Sequence, residues 1–247
     1  MRILILAGTA ESRDLARKLI ARRHEVTSSL AGHTGEPVLP EGRVRMGEFG
    51  SARAIADYLA EEKIELLIDA THAFAGAISA EAVEAAEKAG VPLFRLVRPA
   101  WPPIKGARLK HFSDISSAIK AVPTRKKALV TTGQRDLGTI AERPDADFLV
   151  RLIDPPKTPL PANAVLLLAR PPYTLKSEMT LMGQNGITHL ITKNSGSAET
   201  YAKLEAAASL GVTILMIDRP VLPEARSVHS VEEAIELVHE LSAGISA

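Results

Sequence analysis

The feature that most constrains this chain is its regular alternation between short, nearly continuous apolar runs and longer amphipathic stretches. Apolar runs at residues 2–7, 25–30, 66–70, 92–97, 128–132, 148–153, 165–168, 189–192 and 213–217 lack the polar alternation of a strand with one wet face. Runs of that kind are expected where strands of a parallel sheet are covered on both faces. Helical periodicity is read at 10–21, 51–61, 77–89, 114–121, 175–184, 198–210 and 231–241. Strand and helix taking turns in this way mean βαβ crossovers. The expected fold class is therefore α/β, with mainly parallel, doubly wound sheets.

The alternation is interrupted at Arg98-Pro99-Ala100-Trp101-Pro102-Pro103-Ile104-Lys105-Gly106. Prolines and a glycine in this density suit neither a central strand nor a helix interior. A surface loop within one sheet would also account for the segment. Similar βα series lie on either side of it, however, which favours a domain boundary. The reading is thus of two Rossmann-like lobes, residues 1–100 and 101–247. A second proline-rich stretch, 154–161, is read as a loop inside the second lobe.

Composition removes several classes of function. The 247 residues suffice for one large domain or two small ones. Lys+Arg 30 against Asp+Glu 29 leaves a net charge of +1, and aromatics make up 4%. That balance argues against a general nucleic-acid binder and against a base-stacking platform, while leaving room for a local basic pocket. The absence of cysteine excludes disulfides, thiolate metal sites, iron–sulfur clusters and a cysteine nucleophile. Seven histidines are scattered without metal-ligand spacing, so no metal is expected. No apolar run is long enough for a signal segment or a membrane span, and a cytoplasmic location is expected.

The first strand runs straight into Gly8-Thr9-Ala10-Glu11, where a helix begins. A strand, a glycine and a helix start aim backbone N–H groups and the positive helix end at an anion. The full G-x-G-x-x-G fingerprint is absent, so a plain tight βα turn remains an alternative to nucleotide binding. The second strand ends in Ser28 and Ser29, followed by Ala31, Gly32 and His33. No carboxylate stands there to hold ribose hydroxyls, and small hydroxyls beside an imidazole suit a 2′-phosphate better, which leans towards NADP; a solvated turn is the alternative. At the end of another buried strand come Asp69-Ala70-Thr71-His72-Ala73-Phe74-Ala75. Open α/β sheets bind ligands at such strand ends, where Thr71 and His72 would line the crevice, although a lone histidine is often structural.

Other chemistries fit poorly. Tyr173 precedes Lys176 by three positions and Tyr201 precedes Lys203 by two, so the tyrosine–lysine pair of a short-chain dehydrogenase is missing. No G-x-S-x-G elbow and no phosphate loop ending in G-K-[ST] occurs. The second lobe instead offers Thr131-Thr132-Gly133-Gln134-Arg135 after a strand, Arg151 and Arg170 near strand ends, Lys193-Asn194-Ser195-Gly196 before a helix, and Arg219. Each cation alone is a solvated surface charge; together they suggest a pocket for a polyanion.

Taken in order, these motifs resemble the precorrin-6A reductase family. The matching segments are Ile5 to Glu11, Ser29 to Gly32, Asp69 to Ala75 with Ile78-Ser79, Arg95-Leu96-Val97-Arg98-Pro99-Ala100-Trp101, Thr131-Thr132-Gly133, Lys193-Asn194-Ser195-Gly196, Thr200 to Ala207 and Arg219-Pro220. They span nearly the whole chain. The chain departs from the family at Ala73, where proline is usual, at His33, where arginine is common, and at Arg170-Pro171-Pro172, where a glycine often separates arginine from proline.

The resemblance implies hydride transfer from NADPH to one carbon–carbon double bond of the precorrin-6A macrocycle, with a proton added alongside, in cobalamin biosynthesis. Cofactors carry the hydride, so the protein supplies orientation and charge complementarity. It further implies a cofactor site formed by Gly8, Thr9, Ala10, Glu11, Ser28, Ser29, Ala31, Gly32, His33, Asp69 and Thr71 in the first lobe. Thr71 and His72 become the catalytic candidates, His72 as a possible source of the proton. Phe74, Thr132, Gly133, Gln134, Arg135, Lys193, Asn194, Ser195, Gly196 and Arg219 become substrate-binding candidates for the carboxylate-rich tetrapyrrole. A ring of that size is expected between the lobes. The chain is expected to be a monomer or weak homodimer, with no nucleic-acid or membrane partner. Cobalt-precorrin-6A reduction and a non-catalytic NADP-sensing module are the alternatives; a methyl-sulfonium-dependent tetrapyrrole methyltransferase lacks support in the first βα turn.

Overall fold

Apolar runs become strands because parallel pairing buries both of their faces, and the amphipathic stretches become the helices that cover them. The computed structural model describes residues 1–32, 38–134 and 137–245. From the N-terminus, β1 (Arg2–Leu6) leads through α1 (Ala10–Ala21) to β2 (Glu25–Leu30), β3 (Arg43–Met46), α2 (Ala52–Glu61), β4 (Leu66–Asp69), α3 (Gly76–Ala89) and β5 (Leu93–Leu96). The middle of the chain forms β6 (Arg108–Phe112), α4 (Ile115–Lys120), β7 (Lys127–Val130), β8 (Asp147–Leu152), β9 (Ala164–Leu168), α5 (Leu175–Gln184), β10 (His189–Lys193), α6 (Ala202–Ser209) and β11 (Thr213–Ile217). β12 (Arg226–Val228) and α7 (Val231–Ile245) follow. The helical stretch expected at 198–210 divides into a 3-10 turn, Ala198–Thr200, and α6.

The described strands form two six-stranded sheets, parallel throughout. The first has the order β12-β5-β4-β1-β2-β3 and the second β6-β11-β10-β7-β8-β9. In the first sheet the chain lays β1, β2 and β3 outward, then returns to add β4, β5 and β12 on the other side. The order reverses between β1 and β4. In the second sheet it reverses between β7 and β10. There β6, which enters that sheet first, holds the outer position that β12 holds in the other. Crevices at such reversals are where doubly wound sheets bind ligands.

Three strands do not announce themselves as apolar runs: β3 (RVRM), β6 (RLKHF) and β12 (RSV). All three lie at sheet edges. An edge strand is covered incompletely and carries basic residues that discourage pairing with another chain, which dilutes its apolar signature.

The sequence reading divides the chain at residues 100 and 101 and assigns everything beyond to one lobe. The units are Met1–Pro99 with Pro220–Ala247, and Ala100–Arg219. The last segment belongs to the first unit because β12 pairs with the open edge of β5, Arg226 opposite Phe94 and Val228 opposite Leu96. Behind that pair, Val231, Ala234, Leu237 and Val238 of α7 join Ile3, Ile5, Leu15, Leu19 and Phe94 in one buried cluster. The other face of this sheet packs Leu4, Leu6 and Leu67 against Ile55, Leu59, Ala82 and Ala85. The second unit buries Leu129, Leu190 and Ile214 with Met182 and Leu204. No helix among the described residues is long and apolar enough to cross a membrane.

Leu237 is 2% exposed and Val221 98% exposed. Leu237→Ala is expected to lower the stability of the first unit by about 2–5 kcal/mol, the usual range for emptying a buried leucine site. Val221→Ala should stay within about 0.5 kcal/mol. Urea unfolding of both variants checks the placement of residues 220–247; a silent Leu237→Ala would contradict it.

Candidate functional site

At the first sheet's reversal, the turn after β1 is organised by Ser12. The Ser12 hydroxyl accepts the Gly8 N–H at 3.2 Å and the Thr9 N–H at 3.1 Å, and donates to the Thr9 carbonyl at 2.8 Å. Thr9 reciprocates, its Oγ1 accepting the Ser12 N–H at 3.1 Å, and so caps α1. The same Thr9 hydroxyl donates to the Ala70 carbonyl at 3.1 Å, tying the start of α1 to the end of β4. Gly8 and Thr9 N–H are thereby used inside the protein. The first-turn N–H groups of Ala10 and Glu11 meet no acceptor among the described residues, as expected of a helix start open to an anion. Gly8 has φ +144°, and nothing lies within 4 Å of where a Cβ would stand. A phosphate can approach there, and a side chain would be strained. The Glu11 carboxylate stands 3.6 Å from Arg98.

Beside this turn, Asp69 is 1% exposed. Its Oδ1 accepts the Thr71 N–H at 3.2 Å and the Thr71 hydroxyl at 2.7 Å, and its Oδ2 accepts Arg95 Nε at 3.2 Å. The carboxylate of Asp69 is thus committed to holding Thr71 and Arg95 and does not face the crevice as a ligand group. The Thr71 hydroxyl also lies 3.4 Å from the Ser79 hydroxyl. His72 Nδ1 accepts the Phe74 N–H at 3.2 Å, so a neutral ring carries its proton on Nε2. The His72 and Phe74 rings lie 5.8 Å apart.

The end of β2 differs from the sequence reading. Ser28 is fully enclosed and its hydroxyl meets no partner. Ser29 Oγ accepts from Arg45 at 3.3 Å. Arg45 also donates to the Gly47 and Glu48 carbonyls, and its guanidinium lies 3.6 Å from the Phe49 ring centroid. The charged group at this strand end is therefore Arg45, which was not among the candidates. It lies on a short edge strand remote in sequence, and only the pairing of β3 with β2 brings it to Ser29. Ala31 and Gly32 are exposed beyond the strand, Gly32 with φ +77°. His33 lies outside the described residues.

The second unit holds its charges inside. Arg151, expected at a rim, is buried and paired with buried Glu178 of α5, with its guanidinium 3.9 Å from the Tyr173 ring centroid. Lys203 is 5% exposed; its amine donates to Thr131 Oγ1 at 3.3 Å and lies 5.3 Å from the Trp101 ring centroid. Burial, assisted by the charge of Arg151, pushes its pKa down to about 7. Arg170 pairs with Asp154 at 3.1 Å, and Arg219 donates to the Asn194 carbonyl at 2.9 Å. The idea of several cations converging on one rim is corrected for Arg151, which is internal; Arg170 and Arg219 each hold one acceptor in the chain.

The turn after β10 is also largely self-satisfied. The Asn194 N–H donates to Ile217, the Ser195 N–H to Lys193, and Asn194 Oδ1 accepts the Trp101 N–H at 2.9 Å. Ser195 Oγ accepts the Ser197 N–H at 3.4 Å. Gly196 turns with φ +72°. Gln134 reaches back to the carbonyls of Asp154 and Pro155, both at 3.3 Å. At the neighbouring turn after β7, Thr132 and Gly133 N–H meet no acceptor among the described residues, and the buried Thr132 hydroxyl has no partner. Arg135 lies outside the described residues.

Residues 2–239 match the model of the family described as precorrin-6x reductase CbiJ/CobK. The precorrin-6A reductase of Rhodococcus erythropolis is 41% identical over 98% of this chain and 98% of its own length. That of Mycobacterium tuberculosis is 42% identical over 94% and 95%. A solved structure of CobK precorrin-6A reductase superposes with a TM-score of 0.92 at 36% identity, covering 98% of this chain and 97% of its own. The chain belongs to the precorrin-6x reductase family. The resemblance carried by the D-A-T-H, R-P-x-W and K-N-S-G segments is borne out, and with it the α/β fold and a reductase that draws on a reduced nicotinamide cofactor. The first unit's residues fit such a dinucleotide: an open helix start, a glycine with room beside it and an arginine at the end of β2 are what its phosphates require.

Lys203 gives a pH signature. In the unfolded chain the amine keeps its proton up to its ordinary value of 10.5, whereas in the folded protein it releases it near 7. Between those limits the unfolded chain holds more protons, so this residue makes stability rise with pH; below 7 its burial penalty is felt in full. Lys203→Met is expected to flatten the rise of Tm between neutral pH and the pH of lysine titration. Thermal unfolding across that range checks it, and an unchanged slope would contradict the burial of a titrating amine.

Proposed function

We propose that this protein is an NADPH-dependent precorrin-6A reductase. The first unit binds the cofactor, and the second binds carboxylates of the tetrapyrrole. The observation that carries the cofactor assignment is the arrangement at the first sheet's reversal. Ala10 and Glu11 N–H are open at the start of α1, Gly8 leaves room for a phosphate, and Arg45 stands at the end of a β2 that offers no carboxylate. A planar guanidinium can meet a phosphate through two parallel hydrogen bonds, and a carboxylate at that place would repel it. NADPH is therefore the cofactor favoured over NADH. Glu11, Ser29, Ala31 and Gly32 border this site, and Asp69 supports it by holding Thr71. The cobalt-free ring is the preferred substrate, in keeping with the relatives named above.

The bound cofactor supplies a hydride to one carbon of a ring double bond, and the other carbon takes a proton. Thr71, fixed by Asp69, orients groups at the crevice. His72, whose Nδ1 accepts the Phe74 N–H, has a neutral ring whose Nε2–H is a hydrogen-bond donor; the added proton comes from solvent, or from His72 only in an imidazolium form that gives up the Phe74 N–H bond, and Phe74 offers an apolar face for the macrocycle. In the second unit Thr132 and Gly133 receive a carboxylate, with Gln134, Lys193, Asn194, Ser195, Gly196 and Arg219 around them.

The decisive assay is oxidation of NADPH in the presence of precorrin-6A, with precorrin-6B as the product; a well-folded protein that binds NADPH and leaves the macrocycle unreduced would refute the reading. Two variants test the cofactor site. Arg45→Gln should lower kcat/KM for NADPH by about ten- to a hundredfold and leave that for NADH nearly unchanged, the loss of one charge-assisted contact. Ala10→Asp places a negative charge at the start of α1, where it favours the helix and opposes a pyrophosphate. It should weaken NADPH binding by about tenfold or more without lowering Tm, as read by fluorescence titration and thermal unfolding.

A further inference from the structure

The second unit contains a buried amine for which the roles above have no use. Lys203 projects from the first turn of α6 and is almost fully enclosed. An ammonium has three N–H donors to satisfy. This one has a single hydrogen-bond acceptor, Thr131 Oγ1, and a distant aromatic face, that of Trp101. Trp101 is itself fixed, its indole N–H donating to the Ser197 carbonyl at 3.1 Å. From β8 comes Arg151 and from α5 comes Glu178, joined as a buried pair in which Glu178 Oε2 has no partner. The Tyr173 ring lies against Arg151. With Lys203 protonated, two cations share one carboxylate, and the cluster holds an uncompensated positive charge.

Thr131 connects this cluster to the open turn. Its hydroxyl accepts from Lys203 and donates to the Ile191 carbonyl at 3.2 Å, so the amine helps fix the first residue beyond β7. The next residues are Thr132, buried with an unpartnered hydroxyl, and Gly133, with φ +90° and open space where a Cβ would be. Their N–H groups meet no acceptor among the described residues, and the turn stands where the strand order of the second sheet reverses.

We propose that the Thr132–Gly133 turn receives one carboxylate of the substrate and that Lys203, acting through Thr131, is the positioning residue of this subsite and the source of its counter-charge. The inference rests on the tetrapyrrole reading given above. The ligand carboxylate balances the surplus cation, for which the described residues supply no second carboxylate. It also has a consequence for protons. Without ligand the buried amine gives up its proton near neutral pH. A carboxylate arriving nearby favours the ammonium form, opposing the burial and the charge of Arg151 that disfavour it. Binding therefore draws a proton from solution onto Lys203.

Isothermal titration of the full chain with precorrin-6A, in the presence of NADP+, which cannot donate a hydride, reads that proton directly. The titration is run slightly above neutral pH in two buffers of different ionisation enthalpy. The wild-type protein should take up a fraction of one proton, and the uptake should vanish under acid conditions where the amine is already charged. Lys203→Met should bind at least about tenfold more weakly without uptake, the loss of a charge-assisted interaction. Lys203→Arg, permanently charged, should restore affinity without restoring uptake. A role in packing alone would move affinity and leave proton uptake untouched. Wild-type binding with no buffer-dependent heat, or a methionine variant that keeps both affinity and uptake, overturns the proposal and leaves the tetrapyrrole reading standing. A wild-type protein that fails to bind precorrin-6A overturns both. If the methionine variant does not fold, the buffer comparison on wild type and the arginine variant decides the matter.

Discussion

Where the strand order of the first sheet reverses, β1 and β4 pair directly, and the Thr9 hydroxyl ties the turns that follow them to each other. It donates to the end of β4 through the Ala70 carbonyl and accepts from α1 through the Ser12 N–H. Being bound at both ends, it sets how α1 leaves β1 and where the segment after β4 begins. Ser12 then occupies the Gly8 and Thr9 N–H groups, and Asp69 occupies Thr71 and Arg95. Among the described residues, what remains open after these bonds are made is the pair of N–H groups at Ala10 and Glu11. The rim is thus built by subtraction. Local hydrogen bonds consume most donors and leave a few in fixed places, which is the condition for binding charge without reorganisation.

The second sheet reverses in the same topological manner but is organised by different physics. Where the first unit has a capping box of hydroxyls and one buried pair, Asp69 with Arg95, the second places Arg151, Glu178 and the extra cation Lys203 inside, around Trp101 and Tyr173. Buried ions are a poor way to gain stability, because desolvation costs several kcal/mol per ion and a pair recovers it only with good geometry. A cluster with two cations, one anion and incomplete hydrogen bonding is therefore hard to explain as a stabilising device. A requirement for charge at the turn beyond β7 explains it better.

Much of the fold was legible because burial on both faces leaves a continuous apolar run, and the nine runs read from the sequence all fall on strands. The edge strands β3, β6 and β12 lack that pressure, while β9, also at an edge, keeps an apolar run although most of it is exposed. The sequences RVRM, RLKHF and RSV carry no apolar signature, and the last two also depend on partners far away in the chain. The return of residues 220–247 to the first unit was hidden for the same reason: β12 is specified by the free edge of β5, more than a hundred residues earlier. Site residues divide along a similar line. Gly8, Thr9, Thr71 and His72 follow strands directly, so local order places them at a rim. Arg45 reaches Ser29 only through the β2–β3 pairing. Lys203 reads as an ordinary position on an alanine-rich helix until that helix is packed.

The same distinction explains why a count of cations along the sequence misled. Arg151, Arg170 and Arg219 follow or close strands and look alike in one dimension, yet one is buried against Glu178, one pairs with Asp154 and one holds the Asn194 carbonyl. Charge at a surface is screened by water and salt, and an exposed ion pair contributes about 0–1 kcal/mol. Charge held in the interior is screened far less, so one uncompensated buried amine can outweigh several arginines at a rim. A ligand with many carboxylates meets competition from water and counter-ions at every exposed cation, and meets far less of it at an enclosed amine that is only partly protonated without ligand and takes up a proton as the carboxylate arrives. With the proposed subsite in place, discrimination in this unit would depend on which carboxylate reaches the turn beside Thr131. Its sharpness is set by the same desolvation that makes Lys203 expensive to bury.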